Sequence, residues 1–437
     1  MNQTTDNRIL KAVDWIGKRL ILLVLFFYYV YPQALDTFGH SFVFASGIVG
    51  AGVYVYHRMP FKEVVYALIA LVLMVAIQLY AIYINGAFDP YIENYMFSHL
   101  ASFMSCYLII LVLFKFEPNA SVSTVSMYII AAVTLQAIIS LLMYNYPEIK
   151  EFLVARELPG ELNENNRAAA EGARLIGHGM GYFGAGVVYG YALIILAYVI
   201  AATRKNVTQV ILLTAIYMFL FYIGMFSART TVVGGGISLG LIGIYLLLHY
   251  KRNKTSIYVF MAFGIVAIVV GYILMRQFFP HMADWAFELV DNYQRTGRLW
   301  TKSSNGLEEM FFFPDDFKTF MIGRGEMWFW GNDVGFTRLV FFSGIIGMTA
   351  YLLFPFIIIC MSFTRDMSVN LLLLVLYVFQ LAINVKGLTD LNNVFYLYFF
   401  YFCHYKYYIY RPKVYMMNKQ RQREFEEQKI NAEGYLI

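Results

Sequence analysis

The chain has 437 residues, of which 60% are hydrophobic and 14% charged, and its mean hydropathy is +0.58. That balance excludes an ordinary soluble domain, which needs far more polar surface. The formal charge of +5 signals no nucleic-acid partner and acquires meaning only when divided between two membrane faces.

A helix needs about 20 apolar residues to cross a hydrocarbon core of roughly 30 Å, and such runs recur from end to end. The polar start, Met1 to Arg19, leads directly into a full-length span, so no cleavable leader is expected. Hydropathy predicts spans at 20–37, 39–57, 64–85, 98–115, 121–143, 180–202, 207–227, 230–249, 256–277, 334–361, 368–386 and 391–410. The expected fold is an all-α polytopic membrane protein, one transmembrane domain over 1–437 with about twelve helices. Short loops with Arg58 and Lys62, Arg204 and Lys205, and Lys251, Arg252 and Lys254 fall on the same side as the basic tail 411–437. Positive charge marks the cytoplasmic face, so both termini are predicted there, in the plasma membrane. The tail reads as a solvated segment resting on anionic lipid.

Two connections on the other face are long, 144–179 and 278–333. Connections of that length usually carry function or structure of their own. Within the second, the run Met310 to Phe313 predicts a short interfacial helix or re-entrant piece. Cys106, Cys360 and Cys403 all fall in apolar segments and read as small core residues. No internal repeat is visible.

Cations on the outer side run against the insertion bias, and most are arginine: Arg156, Arg167, Arg174, Arg229, Arg276, Arg295, Arg298, Arg324 and Arg338. A guanidinium stays charged and grips phosphate oxygens in pairs. The plain alternative is that outer-loop Asp and Glu pair with them. Arg229 sits in a tight turn, Ser227-Ala228-Arg229-Thr230-Thr231, with no acid nearby in sequence, and Arg338 lies a turn inside its span. Ionisable groups at such depth are costly and generally face a bundle interior or wet cavity; a buried pair tying two helices together is the competing reading. Arg174 belongs to the Gly-rich stretch Gly172 to Gly181, where backbone amides can approach an anion. Gly234-Gly235-Gly236 reads instead as a helix-packing surface. In the second loop, Arg298 and Arg324 lie among Trp300, Trp328 and Trp330, which suit either an interfacial belt or stacking on sugars. No outer cluster of His, Asp and Glu has metal-ligand spacing, and no metal or other cofactor is expected.

These stretches, in this order and on one side of the membrane, resemble the O-antigen and capsule repeat-unit polymerases (the Wzy type), relatives of the O-antigen ligases. The likeness covers topology over most of the chain. It covers residues only from Ala173 to Gly347: Arg174 with its glycines, the Arg229 turn, Arg298 with Trp300, Ile322 to Gly325, Asp333-Val334-Gly335-Phe336, and Ser343-Gly344 with Gly347. It implies a lipid-dependent glycosyltransferase of GT-C type, extending a glycan carried on undecaprenyl pyrophosphate at the outer face. The implied partners are undecaprenyl-pyrophosphate-linked oligosaccharides, membrane lipid and a chain-length regulator.

Arginines suit such chemistry on their own terms, because a leaving pyrophosphate gains negative charge as the glycosidic bond breaks. The expected pyrophosphate-binding set is Arg174, Arg229, Arg298, Arg338 and Arg324. The acceptor hydroxyl needs a base or an orienting group, and Asp333 is the first choice, with His178 and Glu171 behind it. Related ligases carry a His-Asn pair near the matching place; Gly331-Asn332-Asp333 here favours polymerase over ligase. A lipid-linked oligosaccharide flippase or other carrier is the rival reading, although carriers place ionisable sites near the midplane and show paired halves. A non-enzymatic regulator is a third.

Overall fold

A computed structural model describes residues 3–32, 36–58, 61–87, 90–155, 174–179, 182–203, 205–298, 306–307, 309–326, 332–410 and 412. The described residues are helical, with irregular connections and no strand. Among them, nine helices are long and apolar enough to cross a membrane, the build of a multi-pass membrane protein.

The elements in chain order are α1 (Gln3–Val30), α2 (Asp36–Tyr56), α3 (Lys62–Asn85), α4 (Pro90–Phe116), α5 (Val122–Asn145) and the short α6 (Pro147–Val154). After residues 156–173, which lie outside the described set, come α7 (Tyr182–Ala202), α8 (Val207–Ser227) and α9 (Thr231–Phe278). Then follow α10 (Pro280–Ala286), α11 (Glu288–Thr296), α12 (Phe317–Ile322), α13 (Gly335–Met361), α14 (Met367–Asn384) and α15 (Asn392–His404), which runs into a π-helical turn, Tyr405–Tyr410. Ser121 and Asn206 cap α5 and α8 through side-chain bonds to Thr124 N and Gln209 N, satisfying N–H groups that a helix start leaves open.

The helix α9 runs for 48 residues where two spans were expected. Its two arms nevertheless pack beside the same stretch of α8. Tyr217 bonds Ser238 Oγ at 2.5 Å and stacks edge-on against Phe260 at 5.2 Å. In a straight helix those two partners would stand roughly 33 Å apart. Gly235 abuts Phe221 and Thr231 abuts Gly224, while Tyr222 donates to Ile268 O at 2.7 Å. One arm therefore runs antiparallel to α8 and the other parallel, and the chain reverses between the apolar windows Thr231–Leu248 and Lys254–Phe278. Residues 251–254, which include Lys251, Arg252 and Lys254, sit at that reversal.

Helix α7 is the hub, buried almost without interruption from Tyr189 to Ala201. Gly234 lies so close to it that an added Cβ would overlap the backbone of Gly190. Small residues permit this backbone contact, the usual means of joining helices in lipid; of the expected packing surface Gly234 and Gly235 make contact, and Gly236 faces open space. Helix α15 is likewise core, with Phe400 against Phe103 at 4.6 Å and Tyr396 against Phe103 at 5.0 Å.

Two expectations need correction. The run Met310 to Phe313 is irregular and not a short helix; the second long connection instead holds α10, α11 and α12. Cys360 is exposed on α13, whereas Cys106 and Cys403 are buried. The helix carrying Arg338 opens at Gly335, about a turn before it as expected, and is broken further on at Ser343 and Gly344, whose dihedrals are non-helical. The tail from 413, Arg156, Arg167, Trp300, Trp328 and Trp330 lie outside the described residues.

Candidate functional site

The segment 174–179 crosses one end of the bundle and is fastened twice. Leu175 N donates to Phe226 O at 3.1 Å, and Gln136 Nε2 donates to His178 O at 2.6 Å. The first bond sets Arg174 beside the last turn of α8, and Arg229 follows in the turn that joins α8 to α9. Ala228 closes α8 in an extended conformation, and Thr231 N returns to Ala228 O at 3.0 Å. Gly186 on α7 allows the turn its place, since a Cβ there would collide with Thr230.

Both guanidinium groups meet one ring. Arg174 Cζ stands 4.4 Å and Arg229 Cζ 4.6 Å from the centroid of the Trp285 indole on α10. A cation over an indole face gains roughly 0.5–2 kcal/mol, which offsets part of the repulsion between two like charges. Arg229 Nη1 also bonds Glu288 Oε2 at the start of α11, with both side chains largely buried, 14% and 18% exposed. Arg276, at the end of α9, is clamped by Asp284 at 2.7 Å and Asp291 at 2.5 Å. For Arg276 the pairing alternative holds: its role is to anchor α10 and α11, and hence Trp285 and Glu288.

Lys386, in the turn after α14, lies within electrostatic reach of both Arg174 and Arg229. Burial pushes its amine below the ordinary lysine value, Arg229 and Arg174 push it further, and Asp333 opposes them. Gly335 explains how Asp333 comes near: a Cβ there would stand 2.6 Å from Asn384 Oδ1 and 2.9 Å from Gly387 O. The absence of a side chain lets the start of α13 lie against the end of α14.

Four residues beyond Lys386, Asp390 accepts from Tyr351 Oη at 3.3 Å and Asn392 N at 3.1 Å, and stands 3.6 Å from His99 Nε2. Burial raises its carboxyl, but His99 and these donors outweigh burial and hold it below the usual carboxylate range.

A second pair of arginines converges elsewhere. Arg324 and Arg338 line a cavity of about 350 Å³ with Phe312, Phe313, Asp315 and Phe341. Asn332 and Thr337 also border it, but both donate to Met310 O, at 2.8 and 3.3 Å.

The predicted residues thus divide. Arg174 and Arg229 meet at Trp285; Arg324 and Arg338 share the separate cavity. Arg298 is exposed one residue past Gly297, and among the described residues no hydrogen bond, ion pair or ring contact joins it to either pair. Asp333 is exposed beside the first cluster, whereas the His178 ring is buried, 3% exposed. Glu171 lies outside the described residues. Sequence reasoning missed Trp285, Glu288, Lys386 and the His99–Asp390 couple; a lone Trp just after a span and a lone Lys between two spans were the only signals.

Another cavity, about 1060 Å³, holds none of these residues. It is bordered by Asp366 and Ser368 at the start of α14, whereas Lys386 follows its other end, so cavity and arginines lie at opposite ends of the bundle. Among the described residues no group of three or more His, Cys, Asp or Glu is placed to hold a metal ion. Comparison with protein-family models, with curated proteins and with solved structures finds no match.

Proposed function

We propose that the chain is a lipid-dependent glycosyltransferase that polymerises repeat units carried on undecaprenyl pyrophosphate. In this reading it has twelve spans of GT-C type, cytoplasmic termini, and an arginine-bearing end facing outward from the plasma membrane. The observation that carries it is the meeting of Arg174 and Arg229, from two separate stretches, over Trp285 at one end of the bundle, with Lys386 near enough for both to depress its amine.

The chemistry follows from that cluster. The acceptor hydroxyl oxygen bonds to the anomeric carbon of the donor glycan while the bond from that carbon to the pyrophosphate oxygen breaks. The electron pair leaves on the diphosphate, where Arg174, Arg229 and Lys386 offset the developing charge in a site partly screened from water. The hydroxyl proton passes to Asp333, the exposed carboxylate beside the cluster.

The test is to incubate purified protein with an undecaprenyl-pyrophosphate-linked repeat unit and resolve the products. A ladder is expected from the native chain and none from Arg174→Ala or Arg229→Ala at equal membrane levels. Arg→Lys at either position also fails if paired phosphate contact matters. Normal ladders from both alanine variants refute the assignment. A native protein that only moves the lipid across vesicles is a flippase.

A further inference from the structure

We propose that the cavity shared by Arg324 and Arg338 binds a carboxylate-bearing sugar, as an anion site separate from the Arg174–Arg229 pair. The inference deepens the glycosyl-transfer reading and rests on it for its biological meaning, because it makes an acidic sugar part of the glycan handled.

The position of Arg324 is built into the backbone. Gly323 and Gly325 have φ of +85° and +78°, the region that favours glycine. Arg324 N donates to Phe341 O at 2.7 Å, and Gly325 N donates to Phe342 O at 2.8 Å. Non-helical dihedrals at Ser343 and Gly344 interrupt α13 just after those carbonyls, which lets the neighbouring segment bond them. Asn85 Nδ2 holds Gly323 O from the other side at 3.0 Å. Arg338 enters from the first turn of α13, so the two guanidinium groups reach one cavity from two separately fixed segments.

The walls indicate the class of ligand. Asn332 and Thr337 are committed to Met310 O, and among the described residues the charged groups of the lining are Arg324, Arg338 and Asp315, with the Asp316 carboxyl also feeling Arg324. Phe312 and Phe313 are 44% and 51% exposed, and Phe312 rests edge-on against Phe341 at 5.3 Å. At Trp285 two guanidinium groups face the ring; here Arg324 Cζ stands 5.0 Å from the Phe341 centroid, while Phe312 and Phe313 keep exposed surface beside the cations. An open phenyl face accepts the C–H face of a pyranose, and a guanidinium fork fits a carboxylate. A volume of about 350 Å³ lies in the range of small-ligand sites, roughly 300–1,000 Å³.

The experiment is saturation-transfer difference NMR on purified protein in phosphatidylcholine nanodiscs, with methyl β-glucuronide and methyl β-glucoside as probes. Glucuronide should receive saturation well above glucoside. Arg324→Gln, which changes an exposed side chain and keeps its backbone bonds, and Arg338→Gln should each weaken it about tenfold. Arg229→Gln should leave it unchanged, and excess pyrophosphate should not displace it. Equal signals from the two sugars, no glucuronide signal from the native chain, or an unaltered signal in Arg324→Gln overturns the proposal. Displacement by pyrophosphate makes the cavity a phosphate site and overturns it too. Because no turnover is read, a failed ladder assay and a failed sugar site are told apart.

Discussion

Arg229 bonds Glu288 through Nη1 while its Cζ stands 4.6 Å from the Trp285 ring centroid, so one guanidinium is held by two neighbours on adjoining short helices. The carboxylate of Glu288 occupies donor capacity that a diphosphate would use, and so acts as an internal competitor. Glu288→Gln removes the charge and keeps the shape. A hydrogen bond to a charged group contributes about 1.5–3 kcal/mol, so pyrophosphate should bind about tenfold or more tighter to this variant, as read by calorimetry. Unchanged or weaker binding would place the diphosphate away from Arg229.

Trp285 is the shared platform of both arginines. Trp285→Ala should weaken pyrophosphate binding by about tenfold, from two cation–π contacts of roughly 0.5–2 kcal/mol each. Trp285→Phe, with a smaller ring of the same kind, should fall between the native chain and the alanine variant. Indistinguishable affinities for all three would mean the indole does not position the cations.

Gly344 has φ of +66° and ψ of −177°, a combination nearly reserved for glycine, and a Cβ there would overlap the Met321 carbonyl. Gly344→Ala should destabilise the purified protein by about 2 kcal/mol or more, visible as a lowered Tm in detergent. Gly236→Ala is the control, because open space surrounds a Cβ at Gly236. Equal Tm values for the two variants would contradict the packing of the 323–325 segment on the kink.

Lys386 has a folded pKa below its ordinary 10.5, so between those two values the unfolded chain binds the extra proton. Stability of the native protein therefore rises with pH across that window. Lys386→Met removes the charged group, and its Tm should exceed the native value most below the window, with the gap closing as pH approaches 10.5. A gap independent of pH would show that neither burial nor Arg229 and Arg174 lowers the Lys386 amine.

Amino-acid order alone determined the membrane character, the positions of the apolar runs and the suspicion attached to Arg174 and Arg229, because burial cost and hydrophobic length are local properties. The Gly234 packing surface was legible for the same reason. Only the tertiary structure decided that Arg174 and Arg229 share Trp285 while Arg324 and Arg338 share a different cavity. Those partners come from α10, α11 and the turn after α14, and no periodicity records which segments a connection folds back upon. The kink at Ser343 and Gly344 is equally invisible in hydropathy, since a glycine in an apolar helix serves packing as readily as it breaks the helix. Charge and length are written residue by residue; which charges meet is set by long-range packing, where each contact depends on all the others.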